Sequence, residues 1–245
     1  MKLAATQFAP IFKDPKQNLR TATTLVRAAA SHGSRLVVLP ELCLSGYSFM
    51  SEEDARPFAE VLTAAKPGSS MATMPALSRK LRVAIAWGLV EEDPGTGLLY
   101  NTQVLVTPSG EWVSYRKGNS WGNDYLWSQP GDSSPPILMF EDRKVGLLIC
   151  ADVRGKSDKI EEFYEPGDAD IVCFSANWGD GGFPAGKWVK FAKENRCTFV
   201  VSNRYGREAN NNFGEGGICI IDPSGKVHCD GLKWNEPCVV YFDAP

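Results

Sequence analysis

Histidine is almost missing. Only two occur among 245 residues, His32 and His228, so neither an imidazole-built metal site nor a triad with a histidine base is expected, and no cofactor is called for. Charge of one sign is missing too. Lys plus Arg is 26 against 29 for Asp plus Glu, a formal net charge of −3 with no basic block, which argues against nucleic acid or an anionic membrane surface as partner. No apolar run approaches the roughly 20 residues of a membrane span, and the first residues carry no stretch long enough for a signal peptide. The seven cysteines (43, 150, 173, 197, 219, 229 and 238) are odd in number and form no Cys-x-x-Cys pair. They fit buried thiols in a reducing compartment better than a zinc knuckle or a disulfide framework. The expectation is a soluble, cytoplasmic protein.

What is present is an ordinary globular balance, 43% hydrophobic and 22% charged, enough for a sizeable core. Apolar β-branched runs at residues 3–8, 35–39, 82–90, 144–149 and 171–175 alternate with helical periodicity over 17–30, 53–65, 74–81 and 186–195. Two hairpins are expected, one joining 101–106 to 112–116 through Thr107-Pro-Ser-Gly-Glu111, the other joining 217–221 to 226–229 through Asp222-Pro-Ser-Gly225. Residues 198–202 and 239–242 complete the strands. With no linker, repeat or low-complexity segment, the pattern reads as one mixed α/β domain over 1–245.

Three apolar strands end in a reactive or polar group: Leu36-Val-Val-Leu-Pro40 in Glu41, Val145-Gly-Leu-Leu-Ile149 in Cys150, and Ile171-Val-Cys-Phe174 in Ser175-Ala-Asn177-Trp178. Ligands of open α/β sheets gather at such carboxyl ends. A free cysteine is usually core, but Cys150 is followed by the polar turn Ala151-Asp152-Val153-Arg154. A nucleophilic thiol needs a base or a cation beside it. With histidine scarce, Glu41 and Lys117, in Ser114-Tyr115-Arg116-Lys117-Gly118-Asn119, are the candidates.

Pro40-Glu41-Leu42, Tyr115-Arg116-Lys117 and Leu148-Ile149-Cys150-x-Asp152, in that order, resemble the nitrilase superfamily of carbon–nitrogen hydrolases. Further counterparts run along the chain: Glu41-Leu-Cys-Leu-Ser-Gly-Tyr47, Gly88-Leu-Val-Glu91, Tyr100-Asn101-Thr102, Pro130-Gly131-Asp132, Asn177-Trp178, Asn203-Arg204-Tyr205-Gly206 and Ile221-Asp222-Pro223. The resemblance implies an α–β–β–α sandwich, paired as a homodimer or larger homo-oligomer. It implies Cys150 as nucleophile, Glu41 as general base, Lys117 as the oxyanion-stabilising cation and the Ala151 backbone N–H as a second donor. It implies a small-molecule amide as substrate, cleaved through a thioester with release of ammonia or an amine, without metal or cofactor.

The sequence departs from the family pattern twice. Where many members carry a second glutamate after the lysine, the corresponding carboxylate is Asp124, which either replaces it through a shifted backbone or leaves that function absent. After the cysteine, Ala151 stands where an aromatic residue is common, Asp152 and Arg154 are kept, and the chain then diverges over residues 155–158. Arg154 would clamp a substrate carboxylate, or else hold Asp152 or a helix end. Tyr47, Trp121, Asn177 and Trp178 are placed near the site as substrate-binding candidates, whereas Trp127 reads as core. An N-carbamoyl hydrolase, a nitrilase and an acyl or amide transferase share the same triad. A non-enzymatic scaffold would have no need of all three groups.

Overall fold

The structure is a computed structural model that describes residues 1–63, 68–154, 168–179 and 182–245. In chain order its elements are β1 (Lys2–Gln7), α1 (Pro15–Ser31), β2 (Leu36–Val38), α2 (Glu52–Ala55), α3 (Ser69–Leu81), β3 (Ala84–Glu92), β4 (Leu99–Val106), β5 (Trp112–Arg116), α4 (Asp124–Trp127), β6 (Ile137–Phe140) and β7 (Arg143–Ile149). There follow β8 (Ile171–Ser175), α5 (Gly186–Asn195), β9 (Thr198–Ser202), β10 (Arg207–Glu208), β11 (Asn211–Asn212), β12 (Cys219–Ile221), β13 (Val227–His228) and β14 (Cys238–Asp243).

The strands form two six-stranded sheets, ordered β14-β1-β2-β3-β4-β5 and β13-β12-β9-β8-β7-β6, with β10 and β11 as a separate small ribbon. The alternation of side chains explains the layering. Leu3, Ala5, Leu36, Val38, Ala84 and Ala86 face the second sheet. Their sequence neighbours Ala4, Val37, Ile85 and Trp87 point the other way, under Ala22, Val26 and Ala29 of α1 and Met74 and Leu77 of α3. On the far side, Trp188 and Phe191 of α5 lie against Phe174 and Phe199, with ring centroids 6.0 and 4.8 Å apart. The result is the expected α–β–β–α sandwich.

Polar side chains stitch the two sheets together where the central strands end. Ser202 Oγ donates to the Val38 carbonyl (3.0 Å), Ser175 Oγ to the Leu39 carbonyl (2.7 Å) and Gln103 Nε2 to Ser175 Oγ (2.7 Å). These buried links fix the carboxyl ends of β2 and β8 against one another, two or three residues before Glu41 and two before Asn177.

Both expected hairpins form, with Val106 opposite Trp112 and Ile221 opposite Val227. The expected helix over 53–65 does not. One turn at α2 passes into a 3₁₀ turn at Arg56–Phe58, because Pro57 supplies no N–H for helical continuation. Glu60 instead bridges to Glu91 beside β3, and residues 64 and 65 lie outside the described residues. The helix expected at 74–81 starts earlier, at Ser69. Its N-terminus is capped from a distance: the Glu60 carboxylate accepts from the Ser70 N–H at 3.0 Å and from Ser70 Oγ at 2.7 Å. The N-cap position is Gly68, which has no side chain to cap that start. Strand β6, not anticipated from the sequence, is a short edge strand after Pro135-Pro136, and it pairs antiparallel with β7.

Candidate active site

Glu41 follows β2, Lys117 follows β5 and Cys150 follows β7, and the two-sheet fold brings all three ends together. The centre is a buried charge cluster. Lys117 Nζ donates to Glu41 Oε1 at 2.7 Å and to Asp124 Oδ2 at 2.6 Å, and all three side chains are at most 2% exposed. An ammonium has three N–H donors, and no third acceptor for this one exists among the described residues. Asn101 Nδ2 donates to Glu41 Oε1 at 2.7 Å and to Asp124 Oδ1 at 3.2 Å. Glu41 Oε2 accepts from the Asn177 backbone N–H at 2.7 Å, so both carboxylates are fixed by neutral donors as well as by the ammonium. Asp124 therefore sits inside the cluster rather than in the surrounding loop.

Close backbone approaches hold the pieces in place. Leu42 has φ +46°, and the chain at Glu41–Leu42 passes so near Gly88 that a Cβ there would lie 2.4 Å from the Leu42 nitrogen. Gly131 lies equally close to the Arg116 carbonyl (2.3 Å for an added Cβ), and its N–H donates to the Lys117 carbonyl at 2.8 Å.

Cys150 itself has φ +42°, a left-handed conformation that costs a non-glycine residue of order 1–3 kcal/mol and persists only when its surroundings hold it. Asp152 is the group that holds it. Its Oδ1 accepts from the Asn119 N–H at 2.8 Å and its Oδ2 from the Ile149 N–H at 3.1 Å, while Asn119 Nδ2 donates back to the Ala151 carbonyl at 2.9 Å. The cysteine turn and the loop after Lys117 are thus tied together. Burial pushes the Asp152 carboxyl up to about 7, against Lys117, the two backbone donors and the Tyr115 hydroxyl, which all pull it down.

Burial and then the Glu41 charge push the Cys150 thiol well above its ordinary value, opposed by Lys117 and the Asn177 N–H. Burial would lower Lys117, but the charges of Asp124, Glu41 and Cys150 together raise it well above normal. The resting state is therefore a protonated thiol beside an ammonium shared by two carboxylates. Such an arrangement can ionise the thiol only as a base takes its proton, and it carries a donor for negative charge developing on an oxygen nearby.

The aromatic candidates divide. Trp121 is 49% exposed, whereas Tyr47 and Trp178 are buried, with the Tyr47 hydroxyl donating to the Trp121 carbonyl. Trp127 is core, edge-on to Phe49 at 5.7 Å. Arg154 does not pair with Asp152. Its guanidinium is sandwiched between Trp121 (4.3 Å) and Trp178 (4.1 Å), and residues 155–158 lie outside the described residues. Asn177 is 91% buried (9% exposed) and both polar atoms of its carboxamide lack a partner among the described residues. Asn101, met only within Tyr100-Asn101-Thr102, and Asn119 were given no role from the sequence; the available signal was the polar run Asn101-Thr102-Gln103 inside β4. Neither did it find the buried pair Arg204–Glu208 (2.6 Å), whose Glu208 Oε1 accepts from the Tyr47 and Ser48 N–H groups at 2.7 and 2.8 Å and so fixes the loop after Glu41.

Among the described residues no group of three or more His, Cys, Asp or Glu side chains is placed to hold a metal, and no helix is long and apolar enough to cross a membrane.

Comparison with known proteins places the chain in a family. A nitrilase from Pyrococcus abyssi is 29% identical over 227 residues, covering 93% of this chain and 83% of its own. An omega-amidase from Danio rerio is 33% identical over 257 residues, covering 99% and 87%. Among solved structures, a cysteine-to-serine mutant of the Nesterenkonia AN1 amidase, from the nitrilase superfamily, superposes with a TM-score of 0.80 at 23% identity, covering all of this chain and 92% of that one, a likeness of fold. The carbon-nitrogen hydrolase family model matches residues 2–244. With this sandwich and these relatives, the chain belongs to the carbon-nitrogen hydrolase family.

Proposed function

We propose that residues 1–245 act as one amidase domain, hydrolysing the C–N bond of a small-molecule carboxamide through a thioester on Cys150. The observation that carries this reading is the shared ammonium: Lys117 bridges Glu41 and Asp124 at 2.7 and 2.6 Å with one N–H left over, beside a thiol on a strained turn. Relatives described as amidases support the choice of an amide. So does the unpartnered, buried carboxamide of Asn177, which an amide substrate would satisfy on both its donor and its acceptor sides.

The steps follow from the protonation states. Glu41 takes the thiol proton as sulfur attacks the carbonyl carbon. Negative charge moves to the carbonyl oxygen, where the remaining Lys117 N–H and the Ala151 N–H receive it; losing one such donor typically costs about 3–4 kcal/mol of transition-state stabilisation. The tetrahedral species collapses, the C–N bond breaks, and the proton on Glu41 goes to the departing nitrogen. Water, deprotonated by Glu41, then attacks the thioester carbon, and the second collapse releases a carboxylic acid and returns the thiol. Asp124 acts by holding Lys117. Trp121, Trp178 and Arg154 form one wall against the remainder of the substrate, with Tyr47 supporting Trp121 from beneath.

The test is intact-protein mass spectrometry with ammonia release read in parallel, across a panel of small amides, carbamoyl compounds and nitriles. A mass increase matching an acyl group in the wild type, absent in Cys150→Ala, is expected for at least one amide. Ammonia release that survives in Cys150→Ala would overturn the covalent route.

A further inference from the structure

A cavity of about 330 Å³ lies next to the segment after β8 and is walled largely by aromatic rings: Trp178, Phe183, Trp188, Phe213 and Trp234. The rings stand at steep angles to one another. Phe183 is perpendicular to Trp234 (90°, centroids 5.2 Å apart), and Trp188 is tilted 64° from Trp178 (5.6 Å) and 78° from Phe183 (6.4 Å). Close packing fixes the box. A Cβ on Gly217 would lie 2.4 Å from the Phe183 ring, and one on Gly179 would lie 2.5 Å from the Asn212 carbonyl.

The charge of this cavity is one-sided. Glu215 is the single charged residue among the described residues that line it, and no lysine or arginine does. The Glu215 carboxylate has no ion pair or hydrogen bond with any described side chain. Aromatic faces attract cations through their quadrupoles, and a box of them with a carboxylate at its rim is the arrangement that recognises ammonium groups. An anionic or purely apolar ligand would leave the Glu215 charge opposed or unused.

We propose that this cavity binds an organic cation, an alkylammonium or methylated-ammonium group, with Trp234, Phe183 and Trp178 as its walls and Glu215 as its counter-charge. Trp178 joins the cavity to the reactive centre, since its neighbour Asn177 donates its N–H to Glu41. The cation is either the remote end of the substrate, in which case this inference rests on the amidase reading, or a separate small molecule.

The experiment is a calorimetric and tryptophan-fluorescence titration of the wild-type protein with choline chloride at constant ionic strength. The uncharged analogue 3,3-dimethylbutan-1-ol serves as control, beside Trp234→Ala and Glu215→Gln. Both altered residues are exposed, so both variants should fold. Saturable choline binding is expected, weakened about tenfold or more in Trp234→Ala and several-fold in Glu215→Gln, with the uncharged analogue binding at least about tenfold more weakly. Equal binding of the two ligands, or choline binding unchanged in both variants, overturns the proposal, as does absence of saturation. Labelling of Cys150 by 2-chloroacetamide then separates the two sources: protection by choline marks the substrate's remote end, and binding without protection marks an independent ligand. If Cys150 proves unreactive, the titration still reads the cavity.

Discussion

Asp124 and Glu41 share one ammonium: Lys117 Nζ is 2.6 Å from the first and 2.7 Å from the second, and the Asn101 amide spans the same two carboxylates on their other side. Their charges raise Lys117 well above its ordinary value against the effect of burial, while burial and then the Glu41 charge raise the Cys150 thiol.

Asp124→Asn should therefore impair turnover without unfolding the protein. Asp124 Oδ2 accepts from both Lys117 and the Trp121 N–H, at 2.6 and 3.0 Å; an amide nitrogen there would oppose both donors, and the flipped amide would set its nitrogen against Asn101 Nδ2 instead. The lysine would then settle on Glu41 alone and compete with the base for its proton. A fall in kcat of about 100-fold, with a smaller change in KM, is expected. Steady-state kinetics within about threefold of wild type would show that Asp124 does not hold the lysine.

Glu41→Gln should separate reactivity from turnover. Burial and then the Glu41 charge raise the Cys150 thiol, and Lys117 lowers it. Removing the carboxylate leaves the lysine effect unopposed by Glu41, so the thiol ionises at lower pH. N-ethylmaleimide should label Cys150 faster in Glu41→Gln than in wild type near pH 8, although amide turnover falls by a factor of about 1000 or more. Slower labelling in the variant would mean that the Glu41 side chain promotes loss of the thiol proton rather than opposing it.

Gly88→Ala tests the backbone support of the base. The added methyl would lie 2.4 Å from the Leu42 nitrogen and 3.0 Å from the Glu41 Cα, and neither can move as a flexible side chain would. A loss of about 2 kcal/mol or more in stability is expected, together with loss of turnover. Denaturant unfolding read alongside kinetics checks both. An unchanged unfolding midpoint would show that the two strands separate more easily than this geometry allows.

Much of this was legible in the sequence, for identifiable reasons. Buried parallel strands are nearly continuous apolar runs, so a polar residue at the end of one stands out, and Glu41, Cys150 and Asn177 were visible that way. The two hairpins announced themselves through Pro-Ser-Gly turns. What escaped was structure fixed by partners distant in sequence. Glu60 caps α3 from ten residues before Ser70, so no local cap marked the helix start, and Pro57 cut short a helix that periodicity alone supported. Asp124 was ambiguous by spacing because a four-residue helix, α4, sets its position. Arg154 could not be read at all from its neighbours, since its stacking partners Trp121 and Trp178 come from two different loops.

Asp152 gives a pH signature that can be derived with its sign. Its carboxyl is raised by burial to about 7, from an ordinary value near 3.8, while Lys117, the Asn119 and Ile149 N–H groups and the Tyr115 hydroxyl act in the opposite direction. Between those two values the folded protein holds a proton that the unfolded chain has released. Stability must therefore fall as pH rises from about 4 to about 7, and it levels off above that, with the whole change at most on the order of 4 kcal/mol. Asp152→Asn cannot titrate and lacks this slope. Chemical unfolding at pH 5 and pH 8 should show wild type losing stability relative to the variant at the higher pH. An equal difference between wild type and variant at pH 5 and pH 8 would mean that the two backbone donors outweigh burial and keep Asp152 ionised throughout. In that case the cysteine turn is held by a permanent carboxylate.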